Sequence, residues 1–141
     1  QDAVQEVFIK ILLNLSKYSE RSRFSTWIYS ITYNYCIDHI RRRKRRQKYI
    51  SEDDVEGVDV AEEVEDSEIL EIDIARLKTI LEEIPPEDKA ILLMKYQDEM
   101  SIKEMTEVLL KSESAIKMRL KRAKHKCKRI YDQRYLAMNH E

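Results

Sequence analysis

From Ala3 to Leu15 the apolar residues fall at Val4, Val7, Phe8, Ile11, Leu12 and Leu15. That spacing predicts an amphipathic helix. The polar stretch Ser16 to Arg23 predicts a loop. A second helix follows, with Ser25 or Thr26 as its N-cap and Trp27, Ile28, Ile31, Tyr35 and Ile40 as its apolar positions. It runs out into Arg41-Arg42-Arg43-Lys44-Arg45-Arg46. From Ser51 to about Asp66 apolar residues thin out and like charges accumulate. Such a segment buries too little apolar surface to offset its ordering entropy, so a flexible linker is expected. Helix resumes near Glu68, with Ile69, Ile72, Leu77, Ile80 and Leu81 on one face. Pro85-Pro86 ends it, because proline lacks the amide donor and restricts the residue before it.

Three more helical stretches complete the pattern. Glu87 to Tyr96 carries Ile91, Leu92 and Met94. Ser101 to Leu109 opens on Ser101 and Glu104, an S-x-x-E capping box, and its apolar positions are Ile102, Met105, Val108 and Leu109. The last opens at Ser112 and runs to about Tyr135, with Ile116, Leu120, Ala123, Cys127, Ile130 and Tyr131 turned inward. The final pair has the proportions of a helix-turn-helix. One glycine, Gly57, and two prolines serve the whole chain. Turns between strands lean on such residues, so an all-α fold is expected. The predicted organisation is two small helical domains, 1–48 and 68–141, joined by an acidic linker at 49–67.

Charge sharpens that division. Residues 1–50 hold 11 Lys and Arg against 4 Asp and Glu, residues 51–73 hold 12 acids and no base, and residues 74–141 hold 15 bases against 11 acids. A basic–acidic–basic order suggests two nucleic-acid-facing units either side of an acidic segment. Cys36 and Cys127 lie far apart, and with His39, His125 and His140 they form no zinc spacing, so buried, reduced thiols are expected. No Gly-rich phosphate loop, metal-ligand cluster or nucleophilic triad stands out, which argues against an enzyme and against a cofactor. No signal peptide or long apolar run is present, so a cytoplasmic, nucleoid-associated protein without membrane insertion is expected. The chain opens on Gln1 inside a running helix, and a preceding helix is expected to complete the first core.

In a helix-turn-helix the N-terminal part of the second helix enters the major groove. Here that end offers Glu113, Ser114, Lys117, Met118, Arg119 and Arg122. Lys and Arg donate to guanine O6 and N7, and Ser donates or accepts. Lys121, Lys124 and Lys128 suit phosphate contacts, which position without specifying. In the first half, aromatics beside the basic run could stack exposed bases of a single strand. Trp27 at helical spacing is assigned to the core, whereas Tyr29 and Tyr33 fall on another face and are the contact candidates. Asn34 offers a donor and an acceptor to a base edge.

These residues carry a family resemblance. Asp2-Ala-Val-Gln5-Glu6-Val-Phe8, Phe24-Ser-Thr-Trp27-Ile-Tyr29-Ser-Ile-Thr-Tyr-Asn34 and Asp38-His-Ile-Arg41-Arg42 resemble region 2 of the extracytoplasmic-function sigma factors, group IV of the sigma-70 superfamily. Ile84-Pro-Pro-Glu-Asp-Lys, Ser101-Ile-Lys-Glu104 and Ser112-Glu-Ser-Ala-Ile116-Lys117-Met-Arg119-Leu120-Lys-Arg122-Ala123 resemble their region 4. The resemblance implies a factor that binds core RNA polymerase and directs promoter-specific initiation. Region 2 would read the minus-10 element, partly as melted strand with a base flipped into a pocket. The pocket loop would correspond to Lys17–Phe24, with Tyr18, Arg21 and Arg23, and would act with Tyr29, Tyr33, Asn34, Arg41 and Arg42. Asp2, Gln5, Glu6 and Phe8 match the helix that docks on the polymerase clamp. Region 4 would read the minus-35 element as duplex through Ser114, Lys117, Met118, Arg119, Lys121 and Arg122, and would dock on the flap. The acidic segment would thread towards the active-site cleft and RNA exit path. An anti-sigma factor or another recruiting protein is a partner the resemblance implies.

The chain departs from the family where its turn usually has glycine: Leu110 stands there, followed by Lys111, and Thr106 replaces a small alanine. Leucine is awkward in a left-handed turn, so a turn built differently is expected. Two other classes remain open from the residues alone. One is an autonomous helix-turn-helix regulator that binds duplex DNA without polymerase. The other is an adaptor whose first half binds only a protein partner.

Overall fold

The computed structural model describes residues 2–46 and 63–140. Among the described residues every regular element is helical and none is a strand. Seven α-helices are described: α1 Ala3–Asn14, α2 Phe24–Arg46, α3 Asp66–Leu70, α4 Ile74–Glu83, α5 Pro86–Tyr96, α6 Ile102–Leu109 and α7 Glu113–Tyr131. The chain forms two compact units. The first gathers α1, α2 and residues 103–111; the second gathers α3, α4, α5, α7 and the C-terminal turns. Most of the predicted linker, 49–62, lies outside the described residues.

In the first unit Asp2 caps α1, its carboxylate accepting from the Val4 amide at 3.0 Å. The predicted apolar face of α1 forms, but only Val7 is buried. Val4 is 74% exposed, Phe8 59% and Leu12 55%. A 3₁₀ turn at Leu15–Lys17 interrupts the predicted loop. Helix α2 starts at Phe24, so Ser25 and Thr26 lie inside it and neither is its N-cap. The Trp27 amide instead reaches the Arg23 carbonyl at 3.0 Å. Thr26 and Ile37, neither of them predicted core positions, are buried, while Trp27, Ile28, Ile31 and Tyr35 are half-buried. In α6, Met105 and Val108 are buried, but Ile102 and Leu109 only half so.

The second unit is built round α7, which packs against α3, α4 and α5. Ile80, Ile91, Met94 and Ile116 are almost fully enclosed. Each such side chain contributes about 1.5–3 kcal/mol of burial energy. The predicted inward line of α7 is confirmed at Ile116, Leu120, Ala123 and Cys127, while Ile130 and Tyr131 are half-buried. The single helix predicted from Glu68 is broken in two. Asp73 ends the break by accepting from the Ala75 amide at 2.9 Å, an N-cap that starts α4 afresh. Pro86 sits at the first position of α5, where its missing amide costs nothing.

The turn between α6 and α7 corrects the sequence expectation. Leu110 takes φ 53°, the left-handed conformation that glycine normally supplies. Its side chain is 83% exposed, so it relieves none of that strain by packing. Ser112 then caps α7, its hydroxyl accepting from the Ala115 amide at 3.2 Å. Beyond α7 the chain tightens into a π-helical turn, Asp132–Leu136, and a 3₁₀ turn, Ala137–His140. Tyr135 there lies under the Arg76 guanidinium, 4.5 Å from ring centre to Cζ.

Candidate nucleic-acid interface

The N-terminal end of α7 presents the predicted duplex-reading residues unequally. Ser114, Lys117 and Met118 are exposed, whereas Lys121 and Arg122 are half-buried. Lys117 makes only a loose, exposed pair with Glu113 one turn back, at 3.5 Å. Such a pair is worth little and yields easily to a phosphate or base. Arg119 is turned the other way, its Nε 3.3 Å from Asp88 Oδ1. Asp88 is buried in the first turn of α5 and also receives Lys126 Nζ at 2.6 Å on its second oxygen. Arg122 keeps its Nε buried without a hydrogen-bond partner. Such an orphan donor is costly and marks a side chain that gains by finding an acceptor.

Two of the three predicted phosphate-binding lysines are already engaged. Lys124 Nζ lies 3.0 Å from Asp66 Oδ1, and Lys128 Nζ 2.8 Å from Asp132 Oδ1. The Tyr96 hydroxyl donates to the same Asp66 oxygen at 2.7 Å. These bonds, Tyr96 first and Lys124 second, hold the Asp66 carboxyl below the ordinary range against a small burial penalty. Burial and Asp66 together push the Tyr96 hydroxyl well above its usual range. The sequence pattern places Asp66 at the end of a flexible linker. Residues 63–66 are instead ordered, and Val64 is only 5% exposed.

The first unit gathers a second set. Tyr18, Phe24 and Trp27 form an aromatic cluster, with centroids 5.3 Å apart for Tyr18 and Phe24, 5.3 Å for Tyr18 and Trp27, and 5.7 Å for Phe24 and Trp27. The Tyr18 hydroxyl donates to the Ser22 carbonyl at 2.7 Å, which folds the loop onto itself. Arg21 and Arg23 project from that loop as exposed residues. Tyr29 and Tyr33 are half-buried, and Asn34 is exposed. Arg41 stands seven residues after Asn34, two helical turns on, so the two share a face; Arg42 beside it is exposed. Periodicity does not report the aromatic cluster, because Tyr18 and Phe24 stand at the two ends of the Lys17–Phe24 loop, where no helical spacing links them to Trp27.

The predicted clamp-facing residues lie along α1. Gln5 and Phe8 are exposed, Asp2 serves as the helix cap, and Glu6 accepts from the Tyr35 hydroxyl of α2. The thiol expectation is half corrected: Cys127 is buried, and burial with Asp88 nearby pushes its pKa up to about 11, but Cys36 is exposed. Among the described residues no group of His, Cys, Asp and Glu is poised for a metal ion, and no helix is long and apolar enough to cross a membrane.

Comparison with known proteins agrees with this arrangement. The family model for sigma-70 region 2 matches residues 1–46, and that for sigma-70 region 4 matches residues 74–127. The chain is 31% identical to the ECF RNA polymerase sigma factor SigW of Bacillus subtilis over 135 residues, covering 88% of this chain and 71% of SigW. It is 25% identical to SigM of the same organism over 133 residues, covering 94% of this chain and 79% of SigM. Among solved structures, the sigma factor RpoE of Bartonella quintana, in complex with the anti-sigma factor NepR, shares the fold. Its TM-score is 0.66 at 17% identity, over 93% of this chain and 79% of that one. CnrH, in complex with the cytosolic domain of CnrY, gives a TM-score of 0.62 at 21% identity, over 94% and 71%. The region 2 match sets aside the autonomous regulator. The chain belongs to the ECF sigma factors of RNA polymerase: it is a non-enzymatic subunit that binds core polymerase and directs promoter-specific initiation.

Proposed function

We propose that the two halves divide promoter reading between them, with residues 1–48 at the minus-10 element and 68–141 at the minus-35 element. The observation that carries this is the exposed face of Ser114, Lys117 and Met118 at the Ser112-capped start of α7. Lys121 and Arg122 extend that face along the helix. Arg119 flanks it and reaches a base only on release from Asp88. At the minus-10 element Tyr18, Arg21 and Arg23 line the loop that receives a flipped base. Asn34, Arg41 and Arg42 follow the strand along α2, with Tyr29 and Tyr33 as stacking partners. Gln5 and Phe8 on α1 meet the polymerase clamp, with Asp2 and Glu6 setting the helix that carries them; residues of the second half meet the flap. The protein acts in the cytoplasm, at the nucleoid, until an anti-sigma factor or another recruiting partner withholds or delivers it.

The test is holoenzyme binding to a library of promoters randomised at the upstream element. Lys117→Ala or Arg122→Ala should lose about 1–3 kcal/mol of discrimination at one base pair if the side chain makes a bidentate base contact. Equal loss on every sequence would reassign it to a phosphate.

A further inference from the structure

Asp88 sets a fixed acid beside α7. It stands in the first turn of α5 and is 3% exposed. Its two oxygens take two cations of α7: Oδ1 lies 3.3 Å from Arg119 Nε and Oδ2 2.6 Å from Lys126 Nζ. Arg119 and Lys126 are seven residues apart, so they stand on one line along the helix. At about 100° per residue that line runs between the buried positions Ala123 and Cys127 and the exposed face of Ser114, Lys117 and Met118. Both side chains remain partly exposed, and all of these residues belong to the second unit. Cations at the border of a groove-facing surface are placed to meet phosphates, yet these two are held by a buried carboxylate.

We infer that Asp88 withholds Arg119 and Lys126 from the DNA backbone, and so sets how much of the grip of α7 on duplex comes from sequence-independent charge. This rests on the reading of α7 as the duplex-binding helix. Two acids compete for each cation. Asp88 is buried, so losing a cation leaves its charge under-compensated within the fold, which is far costlier than opening an exposed pair. A backbone phosphate is solvated and screened, and offers less in return. The two cations therefore stay with Asp88 while α7 lies on duplex. Lys117 is the contrast, because its pair with Glu113 is exposed, 3.5 Å long and easily given up. Sequence-independent binding rests almost wholly on phosphates. Two cations fewer there weaken the hold on random DNA and leave a larger share of the binding to side chains that face base edges. Asp88 is a positioning residue: it acts through the two side chains it holds.

The experiment measures binding of holoenzyme, the full chain with core polymerase, to a promoter it uses, across a salt series in the cold, where the strands stay paired. The slope of log affinity against log salt counts the phosphates neutralised, at about 0.9 for each. Polymerase contributes equally to every variant, so a change in slope reports the substituted residue. Asp88→Asn should steepen the slope by about 0.9 for each cation that reaches a phosphate, or about 1.8 for both. It should also tighten binding to a random-sequence competitor duplex. Adding Lys126→Gln should take back about 0.9, whereas Lys126→Gln in the wild type should leave the slope as it is. A merely structural role for Asp88 predicts the opposite sign, with weaker binding and no steeper slope. Glu82→Gln, at an exposed position of α4, removes the same charge and should change little. Circular dichroism melts establish that each variant folds. Asp88 withholds nothing if Asp88→Asn leaves the slope unchanged or flatter, or if Glu82→Gln steepens it equally. Lys126→Gln alone also decides, because a slope flatter by about 0.9 would put Lys126 on a phosphate with Asp88 in place. Lys117→Ala separates the underlying reading. If it leaves holoenzyme binding unchanged, α7 is not the duplex-binding face and both fall. If it weakens binding while Asp88→Asn leaves the slope alone, only the role of Asp88 falls.

Discussion

Asp88 and Lys126 meet across the second unit, with Oδ2 and Nζ 2.6 Å apart, although 38 residues separate them in the chain. The other Asp88 oxygen lies 3.3 Å from Arg119 Nε, so one buried carboxylate of α5 holds two cations of α7. That triad ties α7 to α5. Both cations are partly exposed, at 43% for Arg119 and 41% for Lys126, so neither is stranded when the acid is removed. Asp88→Ala should therefore cost about 2–3 kcal/mol, below the usual penalty for breaking a fully buried pair. Urea unfolding of the full chain checks it, and Asp88→Asn, which keeps one acceptor, should lose less.

Leu110 predicts a gain. A leucine at φ 53° pays roughly 1–2 kcal/mol for its left-handed backbone, and its exposed side chain returns almost nothing. Leu110→Gly gives back part of that through the larger entropy of the unfolded chain. A net stabilisation of about 0.5–1 kcal/mol is expected, read from the shift in the urea midpoint at constant slope. A loss would mean that the leucine side chain carries a contact outside this fold, such as one with polymerase.

The two cysteines should separate cleanly. Cys36 is exposed and Cys127 buried, with a thiol pushed up to about 11. Alkylation at neutral pH followed by peptide mass spectrometry should label Cys36 alone, and Cys127 only after unfolding. The raised pKa also has a stability consequence. The neutral thiol is favoured in the fold, so its contribution is complete below the unfolded pKa of about 8.5 and lost as pH rises towards 11. Cys127→Ala should flatten that alkaline decline.

Asp66 works in the opposite direction. Its carboxyl is depressed by Tyr96 and then by Lys124, so its stabilising contribution is present above the ordinary carboxylate range. It is lost as pH falls through the lower value it holds in the fold. Fluorescence-detected unfolding of wild type and Asp66→Asn should therefore differ at neutral pH and converge in acid. Curves that stay parallel throughout would show that the pair contributes nothing.

Much of this was legible in the sequence where local rules act alone. The register of α7 follows from the period of Ile116, Leu120, Ala123 and Cys127 together with a Ser112 cap, and neither needs a distant partner. The exposure of Ser114, Lys117 and Met118 follows from that same register. The break between α3 and α4 was hidden because Asp73, its cap, stands in a run of acids where one more aspartate carries no signal. The pattern of α1 identified an apolar face but not what covers it, and most of that face is exposed. Asp88, Tyr96 and Asp66 gain their roles only through partners that the fold brings together across 30 or more residues, which periodicity cannot report. At Leu110 a sound local rule was overridden: leucine takes φ 53° where the left-handed turn favours glycine, and Ser112, two residues on, caps α7.

This chain makes polymerase start at the promoters it selects. The direct measurement is transcription from genomic DNA of the source organism with purified core RNA polymerase, the full chain or both, with 5′ ends mapped by sequencing. Discrete new start sites should arise only when both are present, each preceded by two shared elements at constant spacing. Lys117→Ala/Arg122→Ala should weaken dependence on the upstream element, and Phe8→Ala should abolish starts by releasing polymerase. Strong protection of DNA by the chain alone, with no new start sites when polymerase is added, would contradict it.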